Sequence, residues 1–188
     1  MCTYMTEKAE ITGSGKGHTG WFALRHANVY YDHPIHAPME HALAIDFVNE
    51  PQKVGERVAV EMSAESALEL GRKIYAALGT NENEAKVGEP KLSPGIVEAA
   101  QLSGSAKGSK GWFRLRSANV FYDQPSHAPM LRSLNMDFLG EDPTVDEHIT
   151  VEVTADSALE VVRKIHAILN SEDARELLRP PTKIDMSL

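Results

Sequence analysis

The sequence predicts an α+β protein in which one unit occurs twice, each copy having about four strands followed by one helix. The first observation is a repeat: residues 11–79 align with residues 102–170 without a gap, and 37 of the 69 aligned pairs are identical. The other two are short segments of alternating apolar and polar residues, and an apolar stripe with helical spacing that ends each copy. We therefore expect an intrachain pseudo-dimer about a pseudo-two-fold axis, packed as one continuous sheet or as two facing sheets.

Strands account for the first part of each copy. The predicted strands of the first copy are rich in aromatic and β-branched residues or alternate with period two, and lie at residues 3–11, 21–31, 42–48 and 57–62. Residues 96–102 repeat the first of them more weakly. We interpret residues 13–17 as a flexible connector rather than a phosphate-binding loop, because Lys16 is followed by glycine and no strand-to-helix context follows.

A helix ends each copy. Ser63 and Thr154 are good N-cap residues, and an acidic residue follows each of them in the first turn, where the helix dipole favours anions. Gly79 and Asn170 stand at the other end, and both residue types tolerate a left-handed C-terminal turn. We therefore expect the two helices to end in the same way.

These elements divide the chain into four parts. Repeat unit 1 is predicted over residues 1–79 and repeat unit 2 over residues 102–170. Residues 80–101 are polar and contain proline and glycine, which is typical of a linker, here leading into the first strand of unit 2. Residues 171–188 form a C-terminal tail that is expected to begin with one or two helical turns.

Composition narrows the classes of partner. A formal net charge of −8, with no block of basic residues, argues against a nucleic-acid partner, because phosphate binding needs clustered cations. No apolar run is long enough for a membrane span, and the single cysteine excludes an intrachain disulfide. We expect a cytoplasmic protein whose partner is a small-molecule substrate or ligand, with homo-oligomerisation left open.

The segment of residues 32–41 carries the strongest chemical signal. It holds three histidines and two carboxylates, and two prolines stiffen it. The predicted ligands of one divalent metal ion, Zn or Fe, are His33, His36 and His41, with Glu40 as the alternative to His33. Glu40 is then the candidate general base beside a metal-bound water, as in a hydrolase, lyase or isomerase of a small molecule.

The second copy restricts this hypothesis to the first. It keeps His127 at the position of His36, but replaces His33 with Gln124 and His41 with Arg132. Residues shared by both copies are needed for the shape of the loop, so the second loop is interpreted as degenerate. Two other interpretations stay open. The loop could have a purely structural role in an accessory protein, or the protein could bind an organic ligand without catalysing a reaction.

The other duplicated residues favour structural roles. Asp46 and Asp137 are interpreted as partners in salt bridges or loop hydrogen bonds. Trp21 and Trp112 are interpreted as core residues or cleft walls rather than as stacking platforms for bases, because no basic surface accompanies them.

The chain resembles a family of small bacterial proteins of unknown function. The resemblance rests on the opening Met-Cys-Thr-Tyr, on Gly20-Trp21-Phe22, and on residues 27–41 with their Ala-Asn-Val-Tyr-Tyr-Asp-His-Pro and His-Ala-Pro-Met-Glu-His motifs. It covers about residues 1–79 best and the second copy in part. The resemblance implies a bacterial, cytosolic source and no particular activity.

Overall fold

The computed structural model describes residues 5–17, 20–50, 56–79 and 96–178. These residues form eight strands and three helices. In repeat 1 the elements are β1 (Thr6–Gly17), β2 (Gly20–Asp32), β3 (Ala42–Val48), β4 (Arg57–Met62) and α1 (Ala64–Ala77). In repeat 2 they are β5 (Glu98–Gly108), β6 (Gly111–Asp123), β7 (Ser133–Gly140), β8 (His148–Val153) and α2 (Ala155–Leu169), followed by α3 (Glu172–Leu178).

The eight strands form a closed antiparallel barrel, so the predicted α+β class is wrong. Each strand pairs with the next one in the chain, and β8 pairs with β1 to close the sheet. The two repeats therefore join at two seams, β4–β5 and β8–β1. Neither an open continuous sheet nor two facing sheets describes this arrangement, because closure pairs both edges of both copies.

The error has an identifiable cause in the glycine-rich segment. Residues 13–17, interpreted as a connector, are the second half of β1. Gly13 to Gly15 pair with β8, and the equivalent residues Gly104 to Ala106, together with Lys107, pair with β4. Only glycine fits at the first of these positions, because a Cβ on Gly13 would lie 1.9 Å from the carbonyl oxygen of Glu152. The glycine-rich residues that the sequence predicts to be a loop therefore form the β8–β1 seam, and their equivalents form the β4–β5 seam.

Each long helix packs against the first strand of the other repeat. α1 packs along β5, α2 packs along β1, and the two helices touch where Gly71 faces Val162. The first strands carry an irregularity between Glu10 and Gly13 and between Gln101 and Gly104. There, Ser157 Oγ accepts a hydrogen bond from the N–H of Thr12, and Ser66 Oγ accepts one from the N–H of Ser103, both at 2.9 Å. The helices therefore satisfy backbone donors that the strand irregularities leave unpaired.

The predicted helix starts are confirmed, whereas one predicted helix end is wrong. The side chains of Ser63 and Thr154 cap α1 and α2 by accepting hydrogen bonds from the N–H three residues on. Gly79 has a φ of +62°, as expected for a left-handed terminus. Asn170 stays right-handed at φ −93°, and its side-chain amide donates to the carbonyl of His166 instead. The two helices thus end by different hydrogen bonds.

The barrel interior is filled by one apolar core. The inward residues of β3, β4, β7 and β8 are fully buried, and the largest of them are Phe47, Phe138, Leu43, Ile45, Met62, Leu134, Met136 and Ile149. The apolar stripes of α1 and α2 join the same cluster. Because side chains fill the described interior, a ligand site has to be sought on the outer face of the barrel.

The predicted repeat boundaries fall partly outside the described residues. Residues 80–95 of the predicted linker and the end of the tail, from residue 179, are among those not described. The start of the tail does form the short helix α3, as expected.

Candidate functional site

Two buried glutamates organise the proline-bounded loops. Glu61 on β4 is 3% exposed and accepts hydrogen bonds from the backbone N–H groups of Ile35, His36 and Ala37 at 2.8–2.9 Å. Glu152 on β8 is 1% exposed and accepts the equivalent three bonds from residues 126–128. Three charge-assisted hydrogen bonds offset the cost of burying each carboxylate and hold the loop against the outer face.

The shared histidine of each loop reaches across a seam. The ring of His36 stacks on Trp112 of repeat 2 with centroids 4.5 Å apart, and the ring of His127 stacks on Trp21 of repeat 1 at 5.0 Å. His127 Nδ1 also lies 3.3 Å from Ser14 Oγ. Because both copies make the same cross-seam contact, the shared histidines have a structural role in joining the repeats.

The remaining residues of the predicted metal site lie in the loop of repeat 1. The rings of His33 and His41 stack at 4.4 Å, and His33 Nδ1 bonds to the backbone carbonyl of Glu40 at 2.8 Å. His41 also lies beside Tyr31, at 6.1 Å between ring centroids. The structure thus pairs His33 with His41, while His36 turns to Trp112. In the described part of the chain, no group of three or more His, Cys, Asp or Glu side chains is arranged to hold a metal ion.

A cleft of about 450 Å³ opens on the outer face of repeat 2. Its floor is the outward side of β7 and β8, its sides are β6 and the loop after it, and the β1–β2 hairpin of repeat 1 completes it. Both polar and aromatic side chains line this repeat-2 cleft: Lys16, Trp21, Phe121, Gln124, Ser126, Asn135, Asp137, Leu139, His148, Thr150 and Glu152. Pockets for small molecules usually measure about 300–1,000 Å³, so the volume suits such a ligand.

The equivalent face of repeat 1 is built differently. Asp46, the counterpart of Asp137, accepts hydrogen bonds from Arg57 Nε and Nη2 at 2.9 and 2.7 Å through Oδ1. Its Oδ2 accepts a bond from the Tyr30 hydroxyl at 3.2 Å. Repeat 1 therefore uses this carboxylate in an internal ion pair, as the sequence interpretation had it.

In repeat 2 both partners of the carboxylate are replaced. Phe121 stands at the position of Tyr30 and has no hydroxyl, and His148 stands at the position of Arg57. Asp137 Oδ1 accepts one bond, from Thr150 Oγ1 at 2.8 Å. His148 lines the cleft, but its Nδ1 bonds to Oδ1 of Asp146 at 2.6 Å, and Asp146 is not part of the lining. Among the described residues nothing donates to Asp137 Oδ2, which leaves it available to a ligand.

The environment of Asp46 also affects Tyr30. Burial raises the pKa of Tyr30 to about 12, and the neighbouring charge of Asp46 adds to that rise. Tyr30 is therefore a hydrogen-bond donor rather than an acid at neutral pH. Its hydroxyl and the Arg57 guanidinium together complete the hydrogen bonding of the carboxylate in repeat 1.

Two segments of the chain, residues 1–87 and 94–178, match the model of a family described as a family of unknown function, DUF6295. The chain belongs to this family. It carries two tandem DUF6295 units, which confirms the predicted membership of an unknown-function family. No curated protein and no solved structure matches the chain. Among the described residues of this DUF6295 protein, no helix has the length and apolar character needed to cross a membrane.

Sequence reasoning missed most of this site. Glu61 and Glu152 were passed over, although a glutamate kept in both copies between apolar strand residues was a readable signal. Trp21, interpreted as a core residue or a cleft wall, lines the cleft and also stacks on His127. The cleft itself lies in repeat 2, whose loop was interpreted as degenerate, because that interpretation considered histidines alone and not the outward residues of the strands.

Proposed function

We propose that this protein binds a small polar organic ligand in the repeat-2 cleft without catalysing its conversion. The observation that supports this most is the cleft itself, about 450 Å³ in volume and lined by two aromatic side chains and several polar ones. A concave site with a few convergent polar groups is the usual form of a small-molecule site. Since the site uses residues of both repeats, the intact eight-stranded barrel is the binding unit.

An NMR fragment screen on the isotope-labelled full-length protein tests the proposal. Ser126 lines the cleft, and its counterpart in repeat 1 is Ile35, which is 66% exposed. A large side chain is therefore tolerated at this loop position. We expect bound fragments to shift the amide signals of cleft residues such as Gln124 and Thr150, and Ser126→Trp to abolish these shifts.

Ile35→Trp is the matched control, because it puts the same bulk at the same loop position of the other repeat. Fragments should still bind to this variant as they do to the native protein. Hits that map outside the cleft, hits that survive Ser126→Trp, or a complete lack of hits would each overturn the proposal.

Metal binding at the loop of repeat 1 is a second proposal, supported by the stacked pair His33 and His41. A histidine whose Nδ1 bonds to a backbone carbonyl, as His33 does to Glu40, is oriented to offer Nε2 to a metal ion. His36 would have to leave Trp112 to become the third ligand, and the exposed carboxylate of Glu40 would then serve as general base.

Metal analysis of untagged protein, with Zn²⁺ and Fe²⁺ titrations, tests this second proposal. We expect one metal ion per chain, lost in His33→Ala and His41→Ala and retained in Arg132→Ala, which changes the equivalent of His41 in repeat 2. A metal-free protein that also fails to bind either ion in titration would contradict it.

For the cellular setting we propose the bacterial cytoplasm. A single cysteine suits a reducing compartment, since no intrachain disulfide can form. The resemblance to small bacterial proteins points to the same source.

A further inference from the structure

Beside the carboxylate that both repeats carry on the third strand, repeat 1 places the guanidinium of Arg57, whereas repeat 2 has the cleft. Arg57 corresponds to His148, and Asp46 corresponds to Asp137, which lines the cleft. The guanidinium of Arg57 binds Asp46 Oδ1 through two nitrogens, Nε at 2.9 Å and Nη2 at 2.7 Å. Repeat 1 thus shows which kind of group fits beside the aspartate at this position: a planar group with several N–H donors.

The replacements in repeat 2 remove this cation and leave its acceptor. His148 is shorter than arginine, and its Nδ1 is bonded to Asp146. Phe121 removes the hydroxyl that holds the second carboxylate oxygen in repeat 1. Thr150, which replaces Ala59, supplies the one hydrogen bond to Asp137. Asp137 therefore keeps its charge and position and lacks the partner that Asp46 has.

We propose that the ligand of the repeat-2 cleft is a small organic cation carrying a guanidinium or a similar planar array of N–H donors. The proposal rests on ligand binding in that cleft. Asp137 binds the N–H groups as Asp46 binds Arg57, and the planar group of the ligand takes the place beside the carboxylate that the Arg57 guanidinium takes in repeat 1. The aromatic walls Trp21 and Phe121 favour a delocalised cation over a strongly hydrated one.

The other charges of the cleft agree with this ligand class. Glu152 is a poor competitor for the ligand, because three backbone N–H groups already use its two oxygens. Lys16 is exposed at the rim, where solvent screens its charge. Its counterpart Lys107, on β5 of repeat 2, pairs with Ala59 beside the outer face of repeat 1, where the Arg57–Asp46 pair forms nonetheless. A lysine at the rim is therefore compatible with a bound guanidinium.

The test is an NMR titration of the full-length protein with four small probes: methylguanidinium, methylammonium, acetamide and acetate. We expect methylguanidinium to bind tightest and to shift cleft amides. Asp137→Asn should weaken its affinity about tenfold or more, since a neutral amide cannot form the charge-assisted pair. His148→Arg should abolish binding, because it recreates the ion pair of repeat 1 inside the cleft.

Arg57→Ala supplies an independent variant, in case either cleft substitution prevents folding. It should open the equivalent position beside Asp46 and raise the number of methylguanidinium ions bound from one to two. Tighter binding of acetate or acetamide in the cleft would overturn the ligand class and leave the proposed function standing. Methylguanidinium binding that is unchanged in Asp137→Asn, or a stoichiometry that stays at one in Arg57→Ala, would also overturn it.

Discussion

At the scale of single residues, the carboxylates of Glu61 and Glu152 do work that the loop sequences alone do not reveal. Three consecutive backbone N–H groups converge on each carboxylate, which fixes the direction of the loop and brings its histidine to the tryptophan of the other repeat. Proline restricts φ, but it cannot choose the strand against which the loop lies. The sequence therefore predicted a stiff loop and could not predict its anchor, which lies 24–26 residues away.

Replacing either carboxylate by an amide should destabilise the protein. In Glu61→Gln or Glu152→Gln, one oxygen remains and an NH₂ group faces backbone donors, so we expect a loss of about 1–3 kcal/mol in the free energy of unfolding. Chemical denaturation measures this loss. Glu141→Gln on the exposed surface is the control and should change stability little. Equal effects at Glu61 and Glu141 would contradict the anchoring role.

The raised pKa of Tyr30 predicts that the folded protein loses stability at alkaline pH. Its folded pKa of about 12 lies above the ordinary value of 10, so the folded state holds the phenolic proton more tightly than the unfolded state does. The contribution of Tyr30 is fully present below about pH 10 and is lost as the pH rises towards 12. Tyr30→Phe, which copies the native Phe121, should flatten the fall in thermal stability over that range. A fall of the same steepness in the variant would contradict this assignment.

At the scale of elements, local sequence patterns predict a strand or a helix end correctly where the residues that define it are close in sequence. The strands predicted at residues 42–48 and 57–62 occur there, and both N-caps were correct, because alternation and capping depend on adjacent residues. The first strands were predicted too short, at residues 3–11 and 96–102, because their glycine-rich halves are stabilised by pairing with the other repeat. Long-range pairing of this kind leaves no periodic signal.

The hydrogen bond between each helix and the first strand of the other repeat can be tested by replacing the serine that accepts it. Ser66→Ala and Ser157→Ala each leave a strand N–H, of Ser103 or Thr12, without its acceptor. We expect each variant to lose about 1–3 kcal/mol of stability and to show faster amide exchange at that N–H. Thr12→Ala, whose side chain is exposed, serves as the control and should leave the exchange rate at residue 12 unchanged. Unchanged exchange in Ser157→Ala would refute the contact.

At the scale of the whole molecule, the two copies share the contacts that close the barrel and differ in polar residues on the outer face of their third and fourth strands. Barrel closure needs both copies of the glycine seams, the buried glutamates and the cross-seam histidines, and all of these occur twice. Asp46 and Arg57 in repeat 1, and their counterparts Asp137 and His148 in repeat 2, also lie on the outer face of the third and fourth strands but make none of these contacts. Repeat 1 uses these positions for an ion pair and repeat 2 for a cleft. Comparing the two loops could not reveal this difference, since it lies on the strands.

A single repeat should not be stable as a monomer. Residues 94–178 alone would leave β5 and β8 as unpaired edges and remove the strand against which α2 packs. Because both copies carry the same seam residues, we expect this fragment to form a homodimer that rebuilds the eight-stranded barrel. Light scattering and circular dichroism measure its mass and fold.

The seam glycine makes the dimer prediction specific. In the full chain, a Cβ on Gly104 would lie 1.9 Å from the carbonyl oxygen of Glu61, and in the homodimer the carbonyl of the second copy's β8 should occupy that place. Gly104→Ala in the fragment should therefore prevent assembly, because the obstacle is backbone and cannot rotate away. Ala99→Gly, in the same strand but outside the seam pairing, should still assemble. A folded monomer at micromolar concentration, or a dimer that tolerates Gly104→Ala, would show that the two repeats do not depend on each other through these seams.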